Sequence, residues 1–138
     1  MSYEVLEHTA DVKFRAVGDS LETAFSEAVK AFGGITGGEP EGGEVRHSIE
    51  VESENLNALL FDFLDRLIYL QDTENVVVCQ VKEIEITDEN GYKLEAVLWT
   101  QVITPGMDLL DIKAPTYNEM KTDYVQGEGW ILEAVLDI

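Results

Sequence analysis

Positive charge is scarce in this chain: nine Lys and Arg stand against 28 Asp and Glu, a formal net charge of −19. That balance repels a phosphate backbone and removes the counterion release that drives nucleic-acid binding, so direct contact with RNA or DNA is not expected. It suits solubility, cation capture, or docking onto a basic partner protein with steering that weakens as salt rises. A plain solvated acidic surface accounts for many of the carboxylates equally well. Cysteine is nearly absent. The single one, Cys79, lies in the apolar run "VVVCQV", so neither an internal disulfide nor a cysteine-based zinc site can form, and the residue reads as a buried, inert thiol. No apolar stretch approaches the roughly 18 residues needed to cross a bilayer, and no charged-then-apolar leader opens the chain. A soluble protein of the reducing cytoplasm, without a membrane partner, is the expectation. The usual catalytic signatures are missing as well: there is no Gly-x-Ser-x-Gly elbow, Walker loop or His-Glu-x-x-His, and only two histidines, His8 and His47. Hydrolase readings are weakened accordingly.

What is present is the pattern of one domain. A length of 138 residues supports a core without disulfides or a structural metal. In "DVKFRAV", Val12, Phe14 and Ala16 alternate with Asp11, Lys13 and Arg15, the period of a half-buried strand with Asp11 directed away from the core. The next segment, "GDSLETAFSEAVKAFGG", repeats Leu21, Phe25, Ala28, Val29 and Phe32 at helical spacing, with Asp19 or Ser20 to cap it and Gly33-Gly34 to stop it. A flexible Gly/Glu loop is predicted at about 35–43, followed by a strand, "EVRHSIEVE", on which His47 reads as a surface residue. That order, loop then strand, does not fit a phosphate cradle, which needs a helix after the loop. A second apolar stripe runs through Leu56, Leu59, Leu60, Phe63, Leu64, Leu67 and Ile68, with Asp62 and Asp65 off it. The remainder reads as strands: a long hairpin turning at Asn90-Gly91, then "DLLDIKAPTYNEMKTDYVQ", in which Pro115 bars a central strand position, and finally "GWILEAVLDI". The predicted fold class is α+β, a single compact domain over residues 1–138 with two amphipathic helices packed on mostly antiparallel sheet.

Two acids have unusual positions. Asp11 opens its strand and Asp137 nearly closes the last one. Antiparallel pairing of those strands would bring the two together only in one register, which sequence does not settle. Were they to meet, the Ile138 carboxylate would add oxygen ligands, and such a hard anionic set suits Ca²⁺ or Mg²⁺ far better than zinc. Spacing alone does not decide between a metal site and a pair of surface acids. His8, three residues before Asp11 in "EHTAD", is a candidate for hydrogen bonding in a polar cluster or for a supporting role behind the ligands.

Three separated segments carry a resemblance. "YEVLEHTADVKFRAVGDSLETAFSEAVKAFGG", "IKAPTYNEMK" and the terminal "LDI" are similar, in order and end to end, to the archease family, whose middle segment reads Lys-Ala-x-Thr-Tyr. The resemblance implies a non-catalytic protein cofactor of the RtcB-type RNA ligase that joins tRNA exon halves. Such a cofactor promotes guanylylation of the ligase, permits multiple turnover and broadens its use of nucleoside triphosphates. It further implies metal ligands at Asp11, Asp137 and Ile138, Ca²⁺ as the ion with Mg²⁺ or Mn²⁺ in its place, and a functional lysine at Lys113. Pro115 departs from the aliphatic residue common at its position. Two other classes compete: a small metal-dependent phosphoester hydrolase, distinguished by intrinsic turnover, and a general chaperone, which would need an exposed apolar patch beyond a few hundred Å².

Overall fold

A computed structural model describes residues 1–7 and 11–138. His8 therefore lies outside the described residues. The order of elements is β1 (Ser2–Glu7), β2 (Asp11–Gly18), α1 (Leu21–Thr36), β3 (Val45–Ser53), α2 (Leu56–Glu74), β4 (Val76–Thr87), β5 (Tyr92–Val102), β6 (Ala114–Val125) and β7 (Gly129–Asp137). All strand pairs are antiparallel, and they form two sheets, β1-β2-β7-β6 and β3-β5-β4. The predicted α+β class with two helices on antiparallel sheet holds, with the strands divided between two sheets.

Both helices touch both sheets. α1 lies against β1, β2 and β7 on one side and β4 on the other, while α2 lies against β6 of the first sheet and β3, β4 and β5 of the second. The helices meet through an edge-to-face contact of Phe25 and Phe63, ring centroids 5.5 Å apart. Phe14, Phe25, Phe32, Phe63 and Leu132 are fully buried in this shared core, each contributing roughly 1.5–3 kcal/mol of apolar burial.

Local chemistry explains the element ends. Ser20 caps α1 by accepting from the Thr23 amide at 3.0 Å, and Asn55 caps α2 by accepting from the Ala58 amide at 2.9 Å, each satisfying a donor the helix leaves open. Gly33-Gly34 does not stop α1. The helix continues to Thr36 and ends on Gly37, whose φ of 122° suits glycine. Gly33 serves closeness instead: a Cβ there would stand 2.2 Å from the Val78 carbonyl oxygen of β4. The loop consequently spans 37–44 rather than 35–43, and it is tied down by Gly42 N–H to the Glu39 carbonyl and by Gln80 Nε2 to the Gly42 carbonyl. The β4–β5 turn has Asn90 and Gly91 both at positive φ, as its sequence predicts. Pro115 sits on β6, an edge strand, where a missing amide is tolerated. A separate edge strand, β1, precedes the Asp11 segment and makes it an interior strand of its sheet.

Candidate functional site: the acidic end of the first sheet

Alternation along β2 and β7 sends Phe14, Ala16, Leu132, Ala134 and Leu136 into the core. Asp11, Lys13, Arg15, Glu133, Val135 and Asp137 therefore share the opposite face. In the register adopted, Asp11 pairs directly with Asp137. Asp11 is half-buried and Asp137 exposed. Their Cβ atoms are thus about 4.5–5.5 Å apart, and like charges so placed oppose pairing.

Lys113 arrives at the same end from the third strand. Its amide donates to the Asp137 carbonyl at 2.9 Å, and Ala114 pairs with Asp137 across β6–β7. Two anchors deliver it: the Leu110 amide donates to the Thr36 carbonyl at 2.9 Å, and Ile112 is buried at 3% exposure. Lys113 itself is exposed, as a side chain that reaches outward would be. Ile138 packs against the core, which holds its backbone beside Asp137. Asp11, Asp137, Ile138 and Lys113, the four residues singled out by the sequence and its family resemblance, thus lie at one end of this sheet.

One step further along the sheet lies a charge network that sequence reasoning did not find. Lys13 Nζ stands 3.6 Å from Glu119 and 3.7 Å from Glu133. Arg15 reaches Glu133 at 3.3 Å and pairs also with Glu4. Glu133 is buried at 7% exposure, a position an acid holds only when paired. The nearby Glu133 carboxylate, foremost, keeps the Arg15 guanidinium more firmly protonated than usual. Four of the chain's nine basic residues, Lys13, Arg15, Lys113 and Lys121, belong to this sheet or its lead-in.

Glu119 comes into reach through an irregularity. The β6–β7 register passes from Thr116↔Val135 to Lys121↔Glu133, so residues 117–120 stand opposite Ala134 alone. Within that bulge Glu119 has φ 56°, while Tyr117 stacks on Phe61 of α2 with ring centroids 4.3 Å apart and planes 8° from parallel.

Among the described residues the side chains of Asp11 and Asp137 offer oxygen donors at the acidic end. Among the described residues no three His, Cys, Asp or Glu side chains converge to hold a metal ion, so a cation there would take two carboxylate side chains together with terminal and main-chain oxygens. Two carboxylates set opposite each other on paired strands are a donor set that fits a hard divalent ion. Of the described residues, His47 lies on β3 and Cys79 on β4, both in the second sheet and away from this end of the first. His47 is half-buried rather than a surface residue, since it shares the inward face of Ile49 and Val51. Cys79 is buried, its thiol pushed up by loss of solvent. A cleft of about 510 Å³ lined by Ser48, Glu50, Arg66, Glu83 and Glu95 also belongs to the second sheet.

The fold is that of a small α+β domain with an acidic sheet end and an exposed lysine beside it. Residues 3–138 match the Archease protein family (MTH1598/TM1083). The chain belongs to the archease family. It is 38% identical over 141 residues to the protein archease of Pyrococcus abyssi, covering 99% of this chain and 98% of that one. With the protein archease of Methanosarcina mazei it shares 36% identity over 140 residues, 99% and 95% covered. The solution structure of Methanobacterium thermoautotrophicum protein 1598 superimposes with a TM-score of 0.83 at 26% identity, covering 99% of this chain and 98% of that chain. A Thermotoga maritima archease, at 21% identity and a TM-score of 0.66, shares the fold over 96% of this chain and 94% of its own. No helix among the described residues is long and apolar enough to cross a membrane.

Proposed function

We propose that this protein activates an RtcB-type tRNA-splicing RNA ligase in the cytoplasm, promoting guanylylation of the ligase, its repeated turnover and its use of further nucleoside triphosphates, while performing no catalysis itself. The observation that supports this reading best is the β2–β7 register, which sets Asp11 opposite Asp137 with the Lys113 amide bonded to the Asp137 carbonyl. A divalent cation, Ca²⁺ or in its place Mg²⁺ or Mn²⁺, would be held by Asp11, Asp137 and the Ile138 carboxylate. When bound it would neutralise the repulsion between them and fasten β2 to β7. Lys113 then stands as an exposed cation beside a neutralised acid pair, free to engage a carboxylate or phosphate of the partner. Activation follows if the partner's nucleotide-loading conformation binds this surface more tightly than its resting one. The acidic remainder of the surface repels RNA and favours a basic protein face.

The test combines the purified protein with an RtcB-type ligase, GTP, Ca²⁺ or Mn²⁺ and broken RNA, and measures ligase–GMP formation and turnovers per ligase. The wild-type protein should raise both. Lys113→Ala should remove the increase while changing stability by no more than about 0.5 kcal/mol, the range for an exposed side chain. Phosphoester turnover by the protein without ligase would favour a hydrolase instead. Unchanged guanylylation by Lys113→Ala would remove the lysine from the mechanism.

A further inference from the structure

We propose that Glu119 and Lys13 form a latch across β7 that holds the Lys113 arm of β6 in place against the Asp11 end of β2. The functional consequence of the latch rests on the activator reading above, whereas the latch itself can be read without it.

The arm is short. β6 pairs with β7 at Ala114, Pro115 and Thr116, and the ladder then breaks until Lys121. Pro115 supplies no amide to that pairing. The arm is held on β7 by the Lys113 amide on the Asp137 carbonyl and by Thr116 Oγ1 donating to the Val135 carbonyl at 3.2 Å. Upstream of Lys113 lies a stretch without helix or strand, residues 103–113. A three-residue ladder bounded by a loop and a bulge is the kind of segment that opens locally at low cost.

The bulge counteracts this. It turns Glu119 back over β7, and the carboxylate meets Lys13 on the strand beyond at 3.6 Å. Lys13 is two residues from Asp11 on the same face of β2, so the ion pair spans β7 between the strand that carries Asp11 and the strand that Lys113 leads into. The Lys13 side chain is 14% exposed and that of Glu119 52%, so the contact is anchored on its lysine side and reached by water on its carboxylate side. Glu119 reaches it from a left-handed backbone conformation, φ 56°, which a residue with a Cβ adopts at a cost. Tyr117, stacked on Phe61, fixes the other side of the bulge to α2. The strained residue, the pair across the sheet and the ring stack all act on the few residues that place Lys113, which makes Glu119 and Lys13 positioning residues.

Two substitutions separate this role from simple stability. Glu119→Gln keeps backbone and volume but removes the charge; Glu119→Gly removes the side chain together with the left-handed penalty. Hydrogen exchange of the Lys113 amide should accelerate about two- to fivefold in both variants while the amides of β5 in the second sheet keep their wild-type rates. Glu119→Gly should melt no lower than Glu119→Gln. Ligase guanylylation at saturating cation should fall about tenfold with either variant, as expected for a misplaced contact residue. Wild-type exchange at Lys113 in both variants overturns the latch, as does a uniform acceleration through both sheets, which would mean a global loss of stability. If the wild-type protein fails to raise guanylylation, the activator reading falls, and the Lys113 exchange rates still decide the latch.

Discussion

Replacing Asp137 by Asn exchanges a carboxylate for a neutral amide of the same shape directly opposite Asp11. In the cation-free protein it should be stabilising. With the side chains about 5 Å apart and the screening of water, because Asp137 is exposed, Coulomb's law puts the relieved repulsion at about 0.8 kcal/mol. A 138-residue chain unfolds with an entropy of about 0.29 kcal/mol/K, so the melting temperature should rise by about 3 °C. In Ca²⁺ the order reverses. At a concentration one hundred times its dissociation constant, Ca²⁺ adds about 2.7 kcal/mol to the wild-type protein, about 9 °C. A variant that binds at least about tenfold more weakly gains about 1.4 kcal/mol or less at the same concentration, about 5 °C. Differential scanning fluorimetry in chelator and in Ca²⁺ reads both effects. A lower melting point for Asp137→Asn in chelator would refute the repulsion, and an equal Ca²⁺-induced rise in both proteins would refute the cation site.

Gly33→Ala and Gly34→Ala should have opposite signs. The first puts a Cβ 2.2 Å from the Val78 carbonyl oxygen and should cost about 1–3 kcal/mol, whereas the second meets nothing within 4 Å and should gain up to about 1 kcal/mol from helix propensity; urea titration of each checks the pair. Cys79, whose thiol donates to the Val77 carbonyl at 3.7 Å and whose pKa burial raises, should react with a thiol reagent at neutral pH about a hundredfold more slowly in the native than in the unfolded protein. Similar rates in both states would show the thiol accessible. Residues appended after Ile138 should weaken Ca²⁺ binding in calorimetry by replacing a carboxylate with a peptide group, and equal affinity would remove that carboxylate from the site.

The helices and the β4–β5 hairpin were legible because their signals are local: apolar residues every three or four positions, a capping serine, an Asn-Gly turn. Asp11 and Asp137 were legible as unusual positions, but their meeting depends on a register between strands at opposite ends of the chain. Gly33 misled for a related reason. Its backbone permissiveness reads as a helix stop, whereas the close approach of β4, invisible locally, makes the missing Cβ the useful property. β1 escaped notice because its exposed edge position puts Tyr3 and Val5 partly in water, which weakens the contrast with Glu4. Lys13, Glu119 and Glu133 could not be grouped from sequence at all. Their contact needs a four-residue bulge and two strand pairings, and each residue alone looks like any solvated charge.

The strand order has a consequence for how the molecule comes into being. The second sheet and α2 are drawn from one continuous stretch, residues 45–102, whose strands pair largely through a hairpin. The first sheet joins the two ends of the chain: Arg15 and Glu133, which meet on it, are 118 positions apart. Local contacts form early and distant ones wait on chain closure. A nascent chain would thus hold β2 with one edge unpaired through the synthesis of everything between, exposed to association with other strands. Asp11, Asp137 and Lys113 come together only at that final closure, so partly made or clipped chains can possess a folded second sheet and still present nothing for a cation or a partner to recognise.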